Sequence, residues 1–284
     1  MRSVNWAADS AALVVANHLT HPSTYMRSVT WETFLASPAG QTVLAWEEGA
    51  CARFLANKSG DRALQIGLGA LNPFAASPIT HRILIDDTVH ANADSHDFRC
   101  RVLAQANALP LGDECCDVIV LAHTFDRHPE QLLTTLSEAA RVLAPNGLLI
   151  SLFFNAMGSW ALREKVFPTR KILPDGAAGI PIIAVKEAVQ KAGLSLEGGN
   201  FGVYAVSPGK NSANVRLPGW LDKAGDRWWP TLSNVILLSA RKVGVKPTLV
   251  GKVNFAAAKS GKTVSATLKN SESLKTSNDA ADCS

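Results

Sequence analysis

The stretch from Arg101 to Asn155 constrains the fold of this chain more than any other. Two continuous apolar runs, residues 118–122 (Val-Ile-Val-Leu-Ala) and 148–154 (Leu-Leu-Ile-Ser-Leu-Phe-Phe), flank a segment of helical period. Short unbroken apolar runs mark strands covered on both faces. A strand, a helix and a second strand in this order form a parallel pair joined by a right-handed crossover. Ligands of open parallel sheets lie beyond the carboxyl ends of the strands. Residues 105–110 and 123–128, which follow strand ends, are therefore the first places to look for a site.

The remaining periodicities extend this unit in both directions. Ser37-Pro38 reads as a helix N-cap followed by proline in the first turn. Val43, Leu44, Trp46, Ala50, Cys51, Phe54 and Leu55 then line one helical face, and Lys58-Ser59-Gly60 ends it. Residues 63–68, 81–86 and 102–104 read as three short strands. The clearest helix spans 129–143, with Leu132, Leu136, Ala139, Ala140 and Leu143 on its apolar side, stopped by Pro145-Asn146-Gly147. A helix over 184–192 closed by Gly193 and strands over 196–206 and 234–240 complete the order. The predicted fold is a doubly wound, mostly parallel seven-stranded α/β sheet whose last strand is antiparallel.

Composition narrows the class. With 47% hydrophobic and 18% charged residues the chain has a packed core, and a net charge of +4 is too mild to indicate nucleic acid. Five cysteines without Cys-x-x-Cys spacing fit a reducing compartment, and seven scattered histidines show no metal-ligand spacing. The vicinal Cys115-Cys116 pair reads as strand-entry packing rather than redox chemistry. No apolar run approaches the roughly 18 residues that span a bilayer. The expectation is a cytoplasmic protein with no metal and no membrane span. Three parts are expected: an N-terminal extension over 1–32, a domain over 33–245, and a disordered basic tail over 246–284, where large apolar residues are too few to offset ordering entropy.

Leu109-Pro110-Leu-Gly-Asp-Glu-Cys-Cys-Asp117-Val-Ile-Val-Leu-Ala-His123 and Glu138-Ala-Ala-Arg-Val-Leu-Ala-Pro-Asn-Gly147-Leu-Leu-Ile resemble the type 11 class I S-adenosylmethionine-dependent methyltransferases. The similarity is narrower still to a bacterial branch with Phe-Leu-x-Ser-Pro (34–38) ahead of Leu-Ala-Trp-Glu (44–47), a short Leu-Gln-Ile-Gly-Leu strand (64–68) and a closing Ala240-Arg241-Lys242. It extends over roughly residues 33–248.

The resemblance implies a Rossmann-like fold, the cofactor S-adenosyl-L-methionine, and a site along the strand ends. Gly67 and Gly69 correspond to the glycine turn that lets the backbone approach the cofactor. Leu71 stands at the third glycine position, and Gln65 replaces the usual acid. Asp86 corresponds to the acid that accepts the ribose hydroxyls, with Asp87 as the fallback. Gln105 occupies the adenine-amino position, flanked by Ala106 and with Asn107 as a substitute acceptor. Ala122 lines the methionine end. His123 is a general-base candidate because its pKa lies near neutrality, and it also fits a positional role at the pocket floor; His128 reads as a helix-start residue. Only eleven residues, including Pro73 and Pro78, separate Gly69 from His81, so the first crossover helix is short or broken.

Two further groups have two readings each. Trp160, Trp220, Trp228 and Trp229 fit core packing or stacking on an aromatic substrate; Arg163, Lys165, Arg170 and Lys171 fit a solvated face or a substrate-side patch. The functional expectation is methyl transfer to an unidentified acceptor (a small molecule, an RNA base or a protein side chain), with catalysis by alignment. The alternatives are a non-catalytic methyltransferase-like binding or regulatory protein, and a nucleotide- or nicotinamide-binding enzyme.

Overall fold

The computed structural model describes residues 29–88, 98–168, 171–177, 179–204 and 232–244. All of them belong to one unit, Met1–Val245. The expected tail, most of the expected extension, Arg170, Trp220, Trp228 and Trp229 lie outside the described residues.

Two helices come first, α1 (Trp31–Leu35) and α2 (Pro38–Leu55), followed by β1 (Arg62–Gly67), β2 (His81–Asp86), β3 (Cys100–Leu103) and β4 (Cys116–Ala122). A one-turn helix α3 (Thr124–Arg127), a 3-10 turn (Pro129–Gln131) and α4 (Leu132–Val142) lead to β5 (Leu143–Phe154). Then come α5 (Ser159–Val166), α6 (Ile182–Lys191), β6 (Leu194–Gly202) and β7 (Val235–Lys242). The seven strands form one sheet in the order β3-β2-β1-β4-β5-β7-β6. Strands β1 to β5 pair in parallel, and β7 runs antiparallel to both β5 and β6. This is the doubly wound sheet with a reversed last strand that the sequence predicts.

Local chemistry sets the element ends. The Ser37 hydroxyl accepts the Gly40 N–H at 3.2 Å and Pro38 occupies the first turn, so α2 starts where expected. Gly193, at φ +78°, follows α6 in the left-handed conformation that closes helices. The long helix expected over 129–143 is shorter. Pro129 opens a 3-10 turn, and Leu143 already pairs with Cys116. The Pro145-Asn146-Gly147 turn then falls inside a β5 irregularity, with Asn146 at φ +62°.

Each sheet face carries its own layer. On one, Leu136, Ala139 and Val142 of α4 and Val185 and Val189 of α6 pack on Ile66, Ile119, Leu121, Leu149 and Phe153. On the other, Ala50, Cys51 and Leu55 of α2 pack on Ala63, Val118, Val120 and Ile150. The segment between β1 and β2 forms turns and no helix. Its Leu71, Phe74 and Ile79 are fully buried in the α2-side layer. They fill space that a crossover helix would otherwise cover, so the short loop is an integral part of the core.

Candidate functional site at the carboxyl ends of β1 to β4

Four adjacent strand ends converge here. Gly67 ends β1 opposite Ala122 of β4, and Asp86 ends β2 opposite Leu103 of β3. The Ala104 N–H donates to the Asp86 carbonyl at 3.0 Å, which places residues 105–107 just beyond Asp86.

The turn after β1 needs glycine at its first position. Gly67 has φ +96°, and a Cβ there would lie 2.4 Å from the Ala122 carbonyl oxygen. The Leu68 N–H donates to that same oxygen at 3.1 Å, while the Thr124 hydroxyl donates to the Ile66 carbonyl at 2.9 Å. Gly69 is buried just beyond. Gln65, standing where an acid is usual, is also fully buried. Its Nε2 donates to the carbonyls of Leu68 at 2.7 Å and Leu71 at 3.1 Å. A carboxylate cannot donate, so the loop that Leu71 completes requires an amide at position 65.

Beyond β3, Gln105 is exposed, Ala106 packs against the core and Asn107 is half-buried. The Asn107 Oδ1 is buried with no hydrogen-bond partner among the described residues. An unsatisfied acceptor of this kind is rare and costly. Asn107, the substitute in the sequence reading, is thus the inward-facing acceptor, and Gln105 faces solvent. The segment that follows is tied to α4: Glu138 Oε1 accepts the Leu109 N–H at 3.0 Å, and Arg141 clamps Glu138 at 2.6 Å while donating to the Leu109 carbonyl at 3.3 Å. The Arg141 guanidinium holds the Glu138 carboxyl below its usual range. The two sequence blocks that carry the methyltransferase resemblance are therefore joined by hydrogen bonds.

Beyond β4 stands His123, expected either as a general base or in a positional role at the pocket floor. His123 is fully buried, with Nε2 2.7 Å from Glu47 Oε1 and Nδ1 2.7 Å from Asp126 Oδ2. An ionised carboxylate only accepts, so an imidazole held between two ionised carboxylates keeps both of its protons. Burial alone would lower its pKa, but the Glu47 charge and the hydrogen bonds to Asp126 and Glu47 outweigh it and raise it to about 10. Burial in turn pushes Asp126 above the usual carboxylate range. An imidazolium with both nitrogens engaged has no lone pair for an acceptor proton. The ring instead lies 4.4 Å from the Phe154 ring and 5.3 Å from Trp31. It joins α2 to the β4 end and fixes α3, whose N-cap it is at φ +52°.

Glu47 and Asp126 were not singled out from sequence. The signal for Glu47 was available: it lies four residues after Val43 and three before Ala50, a charge on the apolar stripe of α2. Arg127 was also missed. Its Nη1 donates to Asp86 Oδ1 at 2.7 Å and to Asp87 Oδ1 at 3.0 Å, and its guanidinium lies 5.4 Å over the Trp31 ring. His128 Nε2 lies 2.7 Å from Asp87 Oδ2. Desolvation opposes it, but the hydrogen bond from His128, the side-chain interaction with Asp86 and the Arg127 charge leave the Asp87 carboxyl below its ordinary value.

Elsewhere, Trp160 is buried against Phe34 in the α1–α5 cluster, which supports its packing reading. Arg163 and Lys165 lie in the last turn of α5, and Lys171 pairs with Asp175 at 2.8 Å. Among the described residues no group of three or more His, Cys, Asp or Glu could hold a metal ion, and no helix is long and apolar enough to cross a membrane.

Residues 69–151 match the family model described as a methyltransferase domain, under a third of the 284-residue chain. No curated protein matches the sequence. Among solved structures, one chain of the complex between the Haloferax volcanii Trm112 methyltransferase activator and a methyltransferase is 16% identical, with a TM-score of 0.53. The match covers 75% of this chain and 95% of that one. A Thermotoga maritima S-adenosylmethionine-dependent methyltransferase is 16% identical with a TM-score of 0.52, covering 75% and 94%. The fold is that of the class I S-adenosylmethionine-dependent methyltransferases.

Proposed function

We propose that this chain binds S-adenosylmethionine along the carboxyl edge of β1 to β4 and transfers its methyl group to an acceptor. One observation carries the reading: three adjacent strand ends offer what an adenosyl group needs. These are a tight glycine turn at Gly67, a carboxylate at Asp86 and, at Asn107, a buried acceptor with no hydrogen-bond partner among the described residues. Asn107 would receive the adenine amino group, Asp86 the ribose hydroxyls, and the turn through Gly67 and Gly69, with Ala122, the methionine end. These residues suit the group by donor and acceptor type, and they lie in or beside the segment that matches the methyltransferase domain.

The cofactor supplies an already activated methyl group, so the chain's task is alignment and exclusion of water. His123 is committed to Glu47 and Asp126 and offers no free ring nitrogen as a base. An acceptor that is nucleophilic without deprotonation suits this site best, and a small molecule fits that requirement with fewest further demands.

A second reading, a binding module without transfer activity, is favoured by the hold of Arg127 on Asp86. Calorimetry with S-adenosylmethionine and S-adenosylhomocysteine tests the proposal. Saturable binding is expected, weakened by about 1–3 kcal/mol in Asp86→Ala through lost charge-assisted hydrogen bonds. Absence of binding heat up to millimolar ligand removes the enzyme, and unchanged affinity in Asp86→Ala removes the ribose contact. Adenosyl binding without methyl loss to any acceptor in cell extract favours the second reading.

A further inference from the structure

We propose that Arg127 occupies the ribose position of the unliganded protein, so that an adenosyl ligand binds by displacing its guanidinium from Asp86. The inference deepens the proposed function and rests on it. It begins from the environment of one carboxylate. Asp86 Oδ1 accepts Arg127 Nη1 at 2.7 Å and the Asp87 N–H at 2.9 Å. Both side chains of the ion pair retain only 10% of their exposure. A charge-assisted hydrogen bond in such a place is roughly twice as strong as one from a neutral hydroxyl. A neutral ribose hydroxyl therefore competes poorly for this oxygen while the guanidinium holds it.

Among the described residues, two carboxylates and one indole ring hold the guanidinium. It bridges Asp86, the last residue of β2, and Asp87 just after it, and lies over the Trp31 ring. Its backbone belongs to α3, a single turn whose first and third positions are anchored: the Thr124 hydroxyl on the Ile66 carbonyl, and Asp126 on His123 and the Phe154 N–H. The backbone of α3 is therefore fixed, and displacement is a side-chain movement. Arg127 then sets the affinity of the site by competition and contributes no contact to the ribose.

The test is calorimetry of S-adenosylhomocysteine, which lacks the sulfonium charge, on the full chain. Arg127→Gln is expected to bind about 10- to 100-fold more tightly than the unaltered protein, the equivalent of one released charge-assisted hydrogen bond. Equal or weaker binding in the variant, with binding in the unaltered protein intact, overturns the competition and leaves the proposed function standing. No binding by either protein overturns both. A second readout needs no Arg127 variant. Saturating ligand should change the tryptophan fluorescence of the unaltered protein as the cation leaves Trp31, and Trp31→Phe should remove that change. An identical response in the two proteins overturns the displacement.

Discussion

Replacing Glu47 by leucine tests whether the buried triad holds the site together. The substitution removes the carboxylate 2.7 Å from His123 Nε2 and leaves an apolar side chain of similar length on the buried face of α2. Breaking a buried ion pair by removing one partner costs about 3–5 kcal/mol. Asp126 still pairs with the imidazolium and leucine recovers some packing, so the lower end, about 3 kcal/mol, is expected. For a domain of this size each kcal/mol shifts Tm by roughly 2–4 °C, which gives a fall of about 6–12 °C by calorimetry or circular dichroism. The pH dependence adds an independent check. The folded pKa of His123, about 10, lies above its unfolded value of about 6.5. The stabilisation from this proton is fully present below about 6.5 and is lost as pH rises toward 10, at no more than about 1.4 kcal/mol per pH unit. The raised Asp126 carboxyl acts in the same direction as pH rises. The unaltered protein should therefore lose stability steadily across the neutral-to-alkaline range, and Glu47→Leu should show a shallower slope. A variant that melts within about 2 °C of the parent, or that keeps the parental slope, refutes the ionised triad.

Two further outcomes follow from the same geometry. Gln65→Glu places a carboxylate against the carbonyls of Leu68 and Leu71 in a fully buried site. It should cost about 3 kcal/mol or more in urea unfolding and weaken ligand binding through the displaced loop; a neutral effect refutes the donor role of Gln65. Asn107→Ala should weaken S-adenosylhomocysteine binding by about 1–2 kcal/mol in calorimetry, while Gln105→Ala leaves it within about 0.5 kcal/mol. The reverse pattern returns the adenine contact to Gln105.

Local signals defined most of the fold, and the site's long-range pairings escaped them. Continuous apolar runs located the central strands because buried parallel strands must be apolar on both faces. Ser37-Pro38 and Gly193 located helix ends because capping chemistry is local. The short Pro73–Pro78 connection was legible as an absent helix. Its role as core filler was not, since the burial of Leu71 and Phe74 depends on where α2 packs. At the site, Asp86 was legible from its strand end, but Arg127, 41 residues away, was not. His123 was legible as a residue of consequence, but its contact with Glu47, 76 residues earlier in the chain, was not. Titration behaviour is set by tertiary neighbours, and no local spacing encodes them. Which of Gln105 and Asn107 turns inward likewise depends on the course of the loop and is not written in local spacing.

A crystal structure of the chain with S-adenosylhomocysteine tests the central claim most directly. The account predicts adenosyl density across the ends of β1 to β3, with the ribose on Asp86, the adenine amino group on Asn107 Oδ1, and the Arg127 side chain turned away from Asp86. Crystals grown at saturating ligand that keep Arg127 on Asp86, with no adenosyl density along that edge, contradict it.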